Sequence, residues 1–104
     1  MTPLRWLDFE QGEVSDDAGV FDAMASVALC HAEQVEAEIA QVLAWAEATF
    51  PGKRGPVEEG GAWDADLQVV QEHDGIDRTT FSFTVVGSAA FCEAFAARFG
   101  AAIL

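Results

Sequence analysis

Apolar residues recur with a helical period most clearly between His31 and Phe50. Val35, Ile39, Val42, Leu43, Ala46 and Phe50 fall on one face of a helix there, while Glu33, Glu36 and Glu47 fall elsewhere. Pro51-Gly52 ends the pattern. A second helix is expected where Phe91, Phe95 and Phe99 form an i, i+4, i+8 stripe. Ser88 is a good N-cap for it and Gly100 fits the C′ position that ends it.

The remaining apolar runs alternate. Leu4 to Glu10 reads as a short strand with Leu7 and Phe9 on one face and Trp6 and Asp8 on the other. Gln11 to Gly19, with two Gly and the Asp16-Asp17 pair, reads as a turn-rich acidic loop. In Val20 to Leu29 the Ala and Met residues favour helix, but period-2 alternation and the adjoining helix favour a strand hairpinned to Leu4–Glu10. Trp63 to His73 alternates Trp63, Ala65, Leu67 and Val69 against Asp64, Asp66 and Gln68, with Val70 breaking the polar row. Asp74-Gly75 signals a hairpin with a four-residue loop, and Thr79 to Val86 is the clearest strand, with Phe81, Phe83 and Val85 facing one way.

The order is ββαββα, and short hairpins with two one-sided helices predict an α+β, two-layer sandwich. Its sheet is four-stranded and mostly antiparallel, with both helices on one face, in a single domain over residues 1–104. The other sheet face then carries Trp6, Asp8, Asp22, Met24, Asp64, Asp66, Ser82 and Thr84. That mixture is more apolar than an ordinary wet face and suits a dimer interface or a ligand surface.

Composition agrees with one packed domain. The chain has 104 residues, 51% of them hydrophobic, and at this size roughly two thirds of the unfolded surface is buried. The longest uncharged stretch, Ala23 to Cys30, is far short of the about 20 apolar residues that span a bilayer. The opening MTPLRWLDFE has no basic region followed by an apolar run, so a cytoplasmic, membrane-free protein is expected. Eighteen acids against five bases give a formal net charge of −13. Direct binding to nucleic acid is therefore disfavoured, whereas a basic protein partner, a cation or simple solubility is allowed. Cys30 and Cys92 are too few for a disulfide framework and are expected as buried, reduced thiols.

No stretch forms a catalytic, metal or nucleotide motif, and no cofactor is expected. Asp64 and Asp66 share one strand face at i and i+2, where they suit a hard cation or, more plainly, solvent. With Asp8 and Asp22 they would form a four-carboxylate cluster if the strand register allowed it. Lys53-Arg54 in PGKRGP is the one paired positive charge, displayed on a stiff loop. It suits an anionic ligand or partner, with Glu58-Glu59-Gly60-Gly61 as a lid, or merely complements the helix dipole. Trp63 adjoins both features, and Trp45 at the edge of the helical stripe reads as a core rim or a partner anchor. His31 and His73 show no metal spacing.

The runs RWLDFE, FDAMASV, FPGKRGPVEEGGAWDADLQ and AFCEAFAARF together resemble a family of small uncharacterised proteobacterial proteins. The resemblance covers most of the chain and implies a compact bacterial cytosolic domain, without assigning site residues. The expectation is a small acidic, non-enzymatic binding module, self-associating or partnered by another protein, with Lys53, Arg54, Trp63, Asp64 and Asp66 as candidate binding residues. The alternative is a small metal-dependent or acid–base enzyme built on the carboxylates of the exposed sheet face.

Overall fold

The computed structural model describes residues 4–15, 17–56, 59–73, 75 and 77–103. The strands are β1 (Phe9–Ser15), β2 (Ala18–Ala28), β3 (Trp63–Glu72) and β4 (Arg78–Ser88). The helices are α1 (Ala32–Thr49) and α2 (Ala89–Phe99). The sheet is antiparallel throughout, in the order β1-β2-β4-β3. This is the α+β arrangement that the alternating segments predict.

Register sorts the side chains. Phe9 lies opposite Ala23, Phe21 opposite Val85, Ala23 opposite Phe83 and Ala25 opposite Phe81, all on the face beneath the helices. Val35, Ile39, Val42 and Ala46 of α1 and Phe91, Phe95 and Phe99 of α2 close the core from above. Both stripes are those marked by the sequence period.

α2 holds the sheet through its aromatic rings. Phe91 stacks on Trp63 at 6.0 Å, and Phe95 stacks on Phe21 at 4.2 Å while meeting Phe9 edge-on at 5.1 Å. Trp45 of α1 contacts Phe91, Phe95 and Phe99 at 5.6, 5.9 and 5.2 Å, so it seals the rim between the helices. Phe91 sits so close to β4 that a Cβ on Gly87 would collide with its ring. The missing side chain makes this contact possible.

The first strand differs from expectation. Phe9–Ser15 pairs with β2, so residues 11–15 form a strand rather than a loop, while residues 4–8 lead into it without pairing. The cause is a competing anchor. The Glu38 carboxylate, only 9% exposed, accepts backbone N–H bonds from Arg5 (2.8 Å), Trp6 (2.9 Å) and Leu7 (3.2 Å). Trp6 Nε1 donates to Gln34 Oε1 at 3.1 Å, and its ring lies 5.0 Å from that of His31. Trp6 therefore packs against α1 instead of occupying the open sheet face.

Three further expectations change. Gly100 is right-handed (φ −55°) and starts a short 3-10 turn, Gly100–Ala102, that brings Ile103 beside Phe9. Cys30 is exposed and Cys92 half-buried; neither is disulfide-bonded. In β3 only Trp63 is buried, whereas Leu67 and Val69 are 42% and 48% exposed although they face the helix side. The helices contact β2 and β4, and the far half of β3 lies beyond their cover. Asp16, Glu58, Asp74 and Ile76, which enter the loop, lid and hairpin expectations, lie outside the described residues.

Glu38→Ala strands three N–H donors in a closed environment and should cost about 2 kcal/mol of stability. Glu38→Gln, which keeps one acceptor oxygen, should cost less; urea unfolding midpoints check both. Gly87→Ala should cost about 1–3 kcal/mol through overpacking against Phe91, read in the same way.

Candidate functional site

The sheet face away from the helices has no covering layer among the described residues. Pairing lines its residues into cross-strand rows. One row runs Glu10, Asp22, Thr84, Asp66, and the next runs Met24, Ser82, Gln68 with Asp8 extending it beyond β1. Met24 is 70% exposed at the centre of this surface. Asp8, Glu10, Asp22, Met24, Ser82 and Thr84 line an open groove of about 460 Å³. The Thr84 hydroxyl donates to Asp22 Oδ1 at 2.6 Å, which fixes that carboxylate upright on the sheet.

The carboxylates do not converge. Asp22 and Asp66 are separated by Thr84, hence by two strand spacings or roughly 10 Å. Asp8 is about three spacings, roughly 14 Å, from β3. The groove thus gathers Asp8, Glu10 and Asp22, while Asp64 and Asp66 lie across the sheet. Among the described residues no three His, Cys, Asp or Glu side chains converge in a way that could hold a metal ion. Acids spread at this spacing form a negative surface instead of a chelate.

Lys53, Arg54, Trp63 and Asp64 come together at the head of β3. Arg54 Nε donates to Asp64 Oδ1 at 3.1 Å, its Nη2 reaches the Ala65 carbonyl at 3.3 Å, and its guanidinium lies 5.1 Å from the Trp63 ring centroid. The backbone follows: Gly55 N–H donates to Trp63 O at 2.8 Å and Ala62 N–H to Lys53 O at 2.8 Å. The connector is therefore laced to the edge of β3. Its Lys53, Gly55, Glu59 and Gly61 amides are spent on carbonyls of the protein, so they do not form a cradle for an anion. Asp66 belongs to the open face rather than to this cluster.

No family model, curated protein or solved structure matches this chain. What the surface can do must come from its own geometry. Sequence reasoning placed Asp22, Met24, Asp64, Asp66, Ser82 and Thr84 on the open face, and the register puts them there. Glu10, the last residue of the expected first strand, is missing from that set although it follows Trp6 and Asp8 at a period of two. The alternation of Leu7 and Phe9 against Asp8 and Glu10 carries the signal.

The two thiols differ in setting. Burial pushes the Cys92 thiol up, and a backbone hydrogen bond from Gly19 acts in the opposite sense. Its Sγ–H points to the Gly87 carbonyl at 3.5 Å. At neutral pH an alkylating reagent should label exposed Cys30 first and spare Cys92. Because the unfolded thiol ionises before the folded one, Cys92 should also lower stability as pH rises past about 8.5–9. Unfolding midpoints from pH 7 to 10 should show a steeper alkaline decline than in Cys92→Ala.

Proposed function

We propose that the chain is a non-enzymatic protein-binding module whose open sheet face docks a basic protein surface. The observation that carries this reading is the row Glu10, Asp22, Thr84, Asp66 beside exposed Met24. Exposed carboxylates at intervals of roughly 5–10 Å match a surface of spaced Lys and Arg better than one ion. Met24 supplies a flexible apolar centre that adapts to such a partner. The net charge of −13 speeds encounter with a cationic partner and repels nucleic acid. The setting proposed is the bacterial cytosol, as the resemblance to small proteobacterial proteins implies.

Immobilised protein should retain a basic protein from bacterial lysate at about 0.05 M NaCl and release it near 0.5 M, where charges are screened within a few ångströms. Asp22→Lys with Asp66→Lys should abolish capture, and the exposed positions leave the fold intact. Retention that is indifferent to salt or to this double substitution would sink the reading.

A further inference from the structure

The two halves of β3's outer edge differ. Its head is closed by Gly55 on the Trp63 carbonyl and Arg54 on the Ala65 carbonyl. The strand's period then turns the backbone groups of Leu67, Val69 and Gln71 outward, and no described residue bonds to them. The sheet's opposite edge is managed: β1 is bulged between Glu13 and Ser15, and Phe9 is bridged by Ile103. Natural edges are usually blunted by Lys, Pro, bulges or short length. Residues 67–70, Leu-Gln-Val-Val, have none of these.

We infer that β3 pairs antiparallel with β3 of a second copy, about a two-fold axis passing beside Gln68. Self-pairings centred on Leu67, Gln68, Val69, Val70 or Gln71 bring outward-facing residues together, but the last two run Leu67 past Glu72, the end of the partner's β3. Centring on Leu67 needs backbone groups that Arg54 and Gly55 already occupy. A Val69 centre sets Asp66 directly opposite the partner's Glu72, a repulsive pair. The Gln68 centre avoids the repulsive pair and uses free groups at its middle: Leu67 meets the partner's Val69 twice and the Gln68 amides meet across the axis. The ladder ends there because Arg54 and Asp64 hold the Ala65 carbonyl and N–H.

Charge favours the same register. It brings the partner's Glu72 opposite Asp64, whose carboxylate is already held by Arg54. That guanidinium lies on the strand edge and takes the incoming carboxylate. The two Asp66 residues stay about 14 Å apart, beyond a Debye length of about 8 Å at physiological salt. The helix layer stops short of Leu67 and Val69, leaving space on that side for the partner's Leu67 and Val69. This pairing is independent of the open-face reading.

Light scattering from about 1 to 500 µM in 0.15 M NaCl should show a dimer. Val69→Lys should weaken it at least about tenfold with an unchanged thermal melt. Arg54→Glu should weaken it too, and adding Glu72→Arg should restore it. In a Cys30→Ser, Cys92→Ala background, oxidation should cross-link Gln68→Cys and spare Leu67→Cys and Val69→Cys. A monomer at every concentration overturns the pairing and leaves capture of a basic partner standing. A dimer untouched by Val69→Lys, or cross-linked best at 67 or 69, overturns the edge or its register. Loss of basic-partner capture with the dimer intact overturns only the open-face reading.

Discussion

The contact on which this fold depends is the row of phenylalanine rings on α2 pressed into the sheet. Phe91 covers Trp63 and Gly87 at one end, and Phe95 joins Phe9 and Phe21 in the middle. Phe99 and Trp45 close the seam to α1. Aromatic pairs in such geometry contribute about 0.5–1.5 kcal/mol each beyond the area they bury. The row also sets how much sheet is roofed. α2 leads from Phe91 above the head of β3 to Ile103 beside β1, and both helices rest on β2 and β4. The far half of β3 is left outside.

Electrostatics divides the molecule along the same line. Glu38 is turned inward and neutralises three backbone dipoles at the start of the chain, where a carboxylate on its own would be costly. The other described acids lie on the surface or are only half-buried, and several share the open face. Arg54 is committed to the head of β3 and Arg78 to the Ser26 carbonyl at 2.9 Å. These two cations hold strand ends, Arg78 at one end of the open face, while the row of Glu10, Asp22 and Asp66 stays negative. Joining two copies through β3 would extend that field across eight strands without covering it.

Much of this was legible in the sequence because the core uses simple periods. The Val35–Ala46 and Phe91–Phe99 stripes and the Phe81–Val85 alternation report burial directly, and burial decides the fold. Residues 4–8 were misread because Trp6 and Leu7 look like strand residues, whereas the force on them comes from 31–33 positions away. His31, Gln34 and Glu38 do form a polar stripe flanking the apolar one, yet a stripe of this kind normally faces water. Leu67 and Val69 were misread for the opposite reason: period marks the face a residue points to, and the lateral reach of the helices decides whether anything lies above it. The head of β3 was legible as a neighbourhood, Lys53-Arg54 near Trp63-Asp64, but the bond from Arg54 to Asp64 needed residues 53–55 laid back along the head of the strand.

The uncovered half of β3 also shows what the fold does not require. Polar side chains at Leu67, Val69 and Val70 would leave every buried contact intact, since these positions are about half exposed and stand beyond the cover of the helices. Apolar, partly β-branched residues on an open edge bring a cost, because such edges template unwanted pairing. Here the open run is short, flanked by Asp66 and Glu72, and carried on a chain of net charge −13. Distributed charge opposes indiscriminate stacking over the long range, while a few uncharged edge residues permit one short pairing once two strands meet in register. The balance between a screened long-range repulsion and a short-range backbone ladder is what makes an open edge tolerable in a protein this acidic.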